Sequence, residues 1–155
     1  IMKFPGKIKA GTKILEPVVG TDLYPSILDL LDLPLIPGQH MDGESVKPLL
    51  TGKKSLNREA IYFHFPHYHH INSMGPSGAI RKGDFKLIEV FETGNYELYN
   101  VRKDIREDHD LARKMPKLVD ELANKLKQWR KESNARVAVL NHEYDPTSDF
   151  RKKKK

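Results

Sequence analysis

The spacing of apolar residues near the start of the chain predicts a short helix with one apolar side. In LYPSILDLLD, residues 23–32, the apolar positions recur at helical intervals. This apolar stripe consists of Leu23, Ile27, Leu30 and Leu31. We expect the side chain of Thr21 or Asp22 to cap the helix, and Pro34 and Pro37 to end it.

A second and clearer amphipathic pattern covers residues 116–134, PKLVDELANKLKQWRKESN. Its stripe, spaced by intervals of 4, 4 and 3 residues, consists of Leu118, Leu122, Leu126 and Trp129. Helical spacing is typical of a buried face, so we interpret Trp129 as core rather than as a stacking platform for a sugar.

Strand patterns fill the region between these two helices. EAIYFHF alternates between its two faces, GAIRKGDFKLIEVF predicts a hairpin with a tight turn at residues 82–84, and TGNYELYN predicts a further strand. The pattern favours an α+β fold, in which the last helix covers one face of a small antiparallel sheet of three or four strands.

Composition and charge narrow the classes of function. The 155-residue chain has a formal charge of +6, but Arg151–Lys155 supply +5 of it, so a nucleic-acid partner is not favoured. We interpret residues 136–155 as a loose basic tail. The apolar runs are too short for a membrane span. The chain begins at Ile1, a start typical of the interior of a longer protein, so the compartment stays open.

The segment HFPHYHH, residues 64–70, contains four of the seven histidines in the chain. A metal site is one reading, but no known zinc spacing is present, the chain has no cysteine, and a strand would turn His69 and the next histidine to opposite faces. We favour a substrate-binding loop at a strand end, with His67 first and His64 and His69 behind it. A histidine-rich surface loop is the remaining alternative.

Arg81, beside the predicted hairpin turn, is a further candidate for substrate binding because a guanidinium group suits anionic sugars. The structural alternative is an ion pair between Arg81 and an acid on the next strand, such as Glu89 or Glu97.

Four stretches, in this order, resemble the C-terminal part of the sulfatases, the arylsulfatase-like hydrolases of the alkaline phosphatase superfamily. FPGKIKAGTKILEPVVGTDLYPSILDLLDL is similar to the segment after the last catalytic strand of that family, and MDGESVKPLLTG is similar to its D-G-x-S-x-x-P-L-L-x-G. GAIRKGDFKLIE resembles a family hairpin. YELYNVRKDIREDHDLA resembles a family motif in which Asp110 stands where Asn is usual.

The resemblance implies that residues 1–56 are the C-terminal edge of a large α/β sulfatase domain and that residues 57–135 form the small C-terminal domain. The nucleophile of the family is a formylglycine made from Cys or Ser within C/S-x-P/A-S/A-x-R, and this string does not occur here. Formylglycine and calcium would therefore belong to an upstream sulfatase domain, and we expect no catalytic residue and no metal ligand in this chain. The implied substrate is a sulfated carbohydrate or an aryl sulfate, and the implied compartment is periplasmic, secreted or lysosome-like.

Two other classes of function remain open. One is a phosphodiesterase or phosphonate hydrolase of the same superfamily, and the other is a non-enzymatic module that binds anionic polysaccharides through its basic tail and histidine loop.

Overall fold

The computed structural model describes residues 1–53, 55–68, 75–137, 139 and 141–143. In chain order the elements are α1 (Leu23–Leu30), α2 (Lys47–Leu50), β1 (Ile61–Phe65), β2 (Ser77–Lys82), β3 (Phe85–Val90), β4 (Asn95–Asn100) and α3 (Pro116–Glu132), with short 3-10 helices at Gly20–Asp22 and Pro37–Gln39. The contacts divide the chain into two units. The first unit covers Ile1–Ile61 and Arg81–Asp84, and the second covers the described parts of Tyr62–Ile80 and Phe85–Lys155. Over the described ranges, no helix has the length and apolar character that crossing a membrane requires.

The first unit contains two helices and a small apolar core. Val46, Leu49 and Leu56 are buried together, with Leu50 packed against them. Ser26, fully buried on α1, accepts the amide N–H of Val46 at 2.9 Å through its hydroxyl oxygen. A polar contact therefore fixes the distance between α1 and the segment that leads into α2.

The predicted apolar stripe of α1 is not its buried face. Leu30 is buried, but Leu23, Ile27 and Leu31 are each more than half exposed. The buried positions around this helix are instead Asp22, Pro25, Ser26 and Leu30. Hydrogen bonds of Asp22 and Ser26 turn this side inward, so the other three residues of the predicted stripe face outward.

The strand patterns predict the observed sheet, most of which lies in the second unit. The four strands of the sheet lie in the order β1-β2-β3-β4. β3 pairs with β4 in antiparallel register, with Leu87 opposite Leu98. The hairpin between β2 and β3 turns at Gly83-Asp84, where Gly83 has a φ of 57°, a conformation that other residues rarely adopt.

Helix α3 covers one face of the sheet, as predicted. Leu122 and Leu126 are fully buried, together with Ile80, Leu87 and Leu98 of the strands. The indole ring of Trp129 stacks on the ring of Tyr62 in β1, with centroids 5.0 Å apart and planes 3° from parallel. Burial of this face stabilises the unit through the hydrophobic effect, at about 25 cal/mol per Å² of apolar surface.

Candidate functional site

His64 lies near the end of β1, between two aromatic rings. The centroid of its imidazole is 5.6 Å from that of Phe91 and 6.5 Å from that of Trp129. Its Nε2 is hydrogen-bonded to the main-chain carbonyl oxygen of Arg136, so this nitrogen carries the proton. Nδ1 is buried and has no hydrogen-bond partner in the described part of the chain. These contacts tie the segment after α3 to β1, and the substrate-binding role of His64 stays a prediction.

His67 is exposed and follows Pro66 at the start of the loop between β1 and β2. Its ring stands edge-on against Phe65, with centroids 4.9 Å apart and an interplanar angle of 72°. The next residue, Tyr68, donates its hydroxyl hydrogen to Oε1 of Glu92 at 2.6 Å. His67 is therefore presented to solvent beside an anchored neighbour. The third predicted histidine, His69, lies outside the described residues.

Arg81 occupies the end of β2 in the first unit, where its side chain is partly buried. Its Nε is buried without a hydrogen-bond partner in the described residues. Glu89, one of the acids expected to pair with it, lies 2.7 Å from Nη1 of Arg130 instead. Glu97, the other, accepts a hydrogen bond from the hydroxyl of Tyr99. Buried polar groups in native proteins normally have hydrogen-bond partners. Nε of Arg81 can therefore donate a hydrogen bond to a group outside the described residues.

The carboxylate of Asp22 does not cap α1 as the sequence predicts. It accepts the main-chain N–H groups of Val19 and Glu44, and both of its oxygens receive the guanidinium of Arg58, at 2.5 and 2.7 Å. Asp22 is 1% exposed. Burial disfavours the charged form, but the hydrogen bonds from Arg58 and the two amides outweigh burial and lower the pKa of Asp22. A buried ion pair forms because a charged group so deeply desolvated requires its opposite charge.

A second buried charge that sequence reasoning missed is Arg130 on α3. Its guanidinium pairs with Glu89 at 2.7 Å and lies over the ring of Phe91, 5.2 Å from the centroid. The helical spacing indicated that Arg130 is buried, because Arg130 follows Leu126 by four residues and continues the buried stripe. A charged side chain suggested an exposed position. Glu89, whose negative charge allows Arg130 to be buried, is distant from it in sequence.

Asp110, which departs from the related motif, has a defined structural role. Its Oδ1 accepts the amide N–H groups of Leu98 and Ala112 at 2.9 and 2.8 Å. The amide oxygen of an asparagine accepts hydrogen bonds in the same way, which explains why the exchange is compatible with the loop after β4.

Among the residues that the structure describes, no three or more histidine, aspartate or glutamate side chains come together as a metal-binding group. The chain contains no cysteine. The residues described here therefore do not fit the oxygen-rich coordination shell that calcium requires.

Comparison with protein families gives one match over most of the chain. Residues 1–132 match the profile of the family described as N-sulphoglucosamine sulphohydrolase, C-terminal. The matched range includes α1 to α3 and every sequence-predicted site residue.

Individual relatives extend the similarity. The chain is 29% identical over 154 residues to a protein of Formosa agariphila named sulfatase, covering 90% of this chain and 28% of the relative. It is 30% identical over 140 residues to an N-acetylglucosamine-6-O-sulfatase of Bacteroides thetaiotaomicron, covering 84% of this chain and 25% of the relative. The chain thus spans about a quarter of the length of these curated relatives.

A solved structure shows a similar fold. It was determined in complex with its substrate, D-glucosamine-2-N,6-O-disulfate, and it matches with a TM-score of 0.56 at 26% identity. The match covers 72% of this chain and 23% of that structure.

Proposed function

This chain belongs to the N-sulphoglucosamine sulphohydrolase C-terminal family, and from that premise we propose that it is the C-terminal part of a sulfuric ester hydrolase that acts on a sulfated carbohydrate. The observation that carries the proposal is the family match over residues 1–132. The relative named N-acetylglucosamine-6-O-sulfatase and the structure solved with a sulfated glucosamine support a sulfated amino sugar as the first substrate to test.

In this proposal, the groups that carry out catalysis lie outside this chain. Hydrolysis of a sulfate ester requires a nucleophile and positive charge to stabilise the sulfate oxygens. The formylglycine motif is absent from the 155 residues, and the described residues do not fit calcium. We assign formylglycine and calcium to an upstream sulfatase domain. This chain contributes surfaces that position and select the substrate.

Two side chains are the strongest candidates for contact with the substrate. Arg81 has a buried Nε that lacks a partner in the described residues, and its guanidinium suits a sulfate or carboxylate group. His67 is exposed at the end of a strand, where binding residues concentrate. We keep His64 and His69 among the proposed substrate-binding residues. Because His64 contacts Phe91 and the main chain of Arg136, we expect it to act by supporting its neighbours rather than as an exposed side chain.

The surface of the first unit supports an upstream domain as its partner. Leu23, Ile27 and Leu31 on α1 are exposed, and the unit contains a largely apolar cavity of about 650 Å³ lined in part by Phe4 and Ile8. Contiguous exposed apolar surface normally marks an interface. We assign this surface to contact with the large α/β domain.

The test is to read the native gene upstream of the codon for Ile1 and to express the complete open reading frame. We expect the motif C/S-x-P/A-S/A-x-R upstream, and release of sulfate from D-glucosamine-2-N,6-O-disulfate and from an aryl sulfate. The 155-residue chain alone should release none. Arg81→Gln and His67→Ala should raise KM for the sugar more than for the aryl sulfate, because the aryl group makes fewer contacts.

Three results would contradict the proposal in different ways. Preferential hydrolysis of a phosphonate or phosphodiester would assign the protein to another class of hydrolase. Turnover of an aryl sulfate by the chain alone would contradict the assignment of the catalytic groups to an upstream domain. Salt-sensitive binding of sulfated glycans without hydrolysis would favour a binding module.

A further inference from the structure

The turn between β3 and β4 contacts the beginning of the histidine-bearing loop that joins β1 to β2. The hydroxyl of Tyr68 donates to Oε1 of Glu92 at 2.6 Å. The preceding residue of the turn, Phe91, packs against the imidazole of His64, with centroids 5.6 Å apart. Tyr68 is 60% exposed, so burial does not hold it in place. The hydrogen bond to Glu92 is one of the interactions that hold it.

The same two residues of the turn also contact the end of this loop. The main-chain N–H of Phe91 donates to the carbonyl oxygen of Pro76 at 3.0 Å. The main chain at Gly75 runs so close to Glu92 that a Cβ added there would lie 3.0 Å from Oε2. Glu92 therefore binds the beginning of the loop through a hydrogen bond, and its other carboxylate oxygen lies beside the main chain at Gly75.

The turn itself is a suitable support because it is closed by its own hydrogen bonds. The N–H of Gly94 donates to the carbonyl oxygen of Val90 at 2.8 Å, and the N–H of Asn95 donates to Oγ1 of Thr93 at 3.2 Å. Fixing Tyr68 to such a turn restricts the main chain next to His67. A recognition side chain on the loop then has less freedom left to lose when it binds a ligand.

We propose that Glu92 is a positioning residue for substrate recognition, which holds Tyr68 at the beginning of the loop between β1 and β2 and so sets where the neighbouring His67 is presented. This inference rests on the proposed function and adds a residue outside the predicted set. Glu92 acts through Tyr68, and it is not assigned a contact with the substrate.

The test uses the full-length protein encoded by the native gene, with the variants Glu92→Ala, Tyr68→Phe and the double variant. We expect each single variant to raise KM for D-glucosamine-2-N,6-O-disulfate by about two- to tenfold, the range of one net hydrogen bond. The kcat for the same substrate, and kcat/KM for an aryl sulfate, should stay close to those of the unsubstituted protein. The double variant should be no worse than Glu92→Ala alone, because Tyr68→Phe removes an interaction that Glu92→Ala has already removed.

A second pair of variants tests the contact at the other end of the loop. Gly75→Ala should raise KM in the presence of Glu92, because the added methyl group displaces the carboxylate. In the Glu92→Ala background the same substitution should have no further effect. Tyr96→Phe is the matched control, since its hydroxyl lies 3.4 Å from Glu89 on the same sheet and should leave KM unchanged.

Hydrogen exchange of the 155-residue chain provides a readout without turnover. Glu92→Ala should speed amide exchange in peptides covering residues 66–76, and Tyr96→Phe should not. Unchanged exchange and unchanged KM would overturn the inference, as would equal losses in kcat and in thermal stability, which indicate a structural role alone. An unsubstituted protein that hydrolyses neither sulfate ester would contradict the proposed function and the recognition role. Exchange would still decide whether Glu92 holds the loop.

Discussion

The two units of the chain are stabilised by different kinds of interaction. The second unit buries Leu87, Leu98, Leu122 and Leu126 completely between sheet and helix. The first unit buries a smaller apolar cluster and connects its segments through charged groups, chiefly the Asp22–Arg58 pair. It also leaves Leu23, Ile27 and Leu31 of α1 in contact with solvent. The difference indicates that the second unit is stabilised mainly by its apolar core, whereas the first depends more on paired charges.

The largest effect should come from breaking the ion pair of the first unit. Arg58→Met removes the partner of a carboxylate that is 1% exposed. A buried charge left without its partner typically costs about 3–5 kcal/mol of unfolding free energy. We expect a loss of this size, measured by urea unfolding of the chain followed by far-UV circular dichroism.

The matched control is the double variant Asp22→Asn with Arg58→Met. It leaves no uncompensated charge, so it should recover most of the lost stability. A loss below about 1 kcal/mol for Arg58→Met alone is typical of an exposed pair, and it would show that charge does not hold the first unit together.

The second unit should respond most to loss of apolar volume. Leu122→Ala removes a fully buried side chain and should lower the unfolding free energy by about 2–5 kcal/mol. Trp129, the single tryptophan of the chain, stacks on Tyr62 within this unit, so its fluorescence follows the unfolding of this unit selectively.

Ile105→Ala is the control for this second prediction. Ile105 is 80% exposed, and substitutions at such positions usually change stability by no more than about 0.5 kcal/mol. Equal effects of the two substitutions on the fluorescence transition would mean that the sheet and α3 do not form the dominant core.

The strands and α3 could be predicted closely because local patterns determine them. Alternation in EAIYFHF gave β1, a Gly83 turn gave the β2–β3 hairpin, and leucines at helical spacing gave α3. These signals are local, and the core they form is contained within the same stretch of chain.

The first unit was harder to predict because contacts distant in sequence decide its structure. The stripe of α1 suggested a buried face, and Asp22 suggested a helix cap, but Arg58 draws the carboxylate into the interior. The spacing that identifies an amphipathic helix does not reveal whether the partner surface is present. Neither the pairing of Glu89 with Arg130 nor the contact of Tyr68 with Glu92 has a local signature.

A smaller effect is expected in acid, where the first unit should lose stability at a higher pH than the second. Hydrogen bonds from Lys7 and Lys47 lower the pKa of Asp32 from 3.8 to about 2. Because the folded pKa lies below the unfolded value, the stabilisation is present above about pH 4 and is lost as the pH falls towards 2. Asp29, also in the first unit, has a lowered pKa because of hydrogen bonds from Ser45 and Lys47. We expect circular dichroism to lose signal before Trp129 fluorescence changes during acid titration.

Asp32→Asn tests the source of this acid sensitivity. It should reduce the slope of stability against pH between about 4 and 2, because the titrating group is removed. Asp120→Asn, at an exposed position on α3, is the control and should leave the slope unchanged. Simultaneous acid transitions by both probes would contradict the distinction between the units.

The smallest effect should appear in the second unit, at alkaline pH. Burial, together with the hydrogen bond and negative charge of Glu97, raises the pKa of Tyr99 from 10.0 to about 12. The unfolded chain releases this proton first, so stability falls as the pH rises from about 10 to 12. Tyr99→Phe should flatten that decline in the Trp129 fluorescence transition, while Tyr24→Phe, an exposed tyrosine of the first unit, should not. An equally steep decline in both variants would mean that alkaline unfolding of the second unit does not depend on Tyr99. Lysine deprotonation elsewhere in the chain would then be the cause to test.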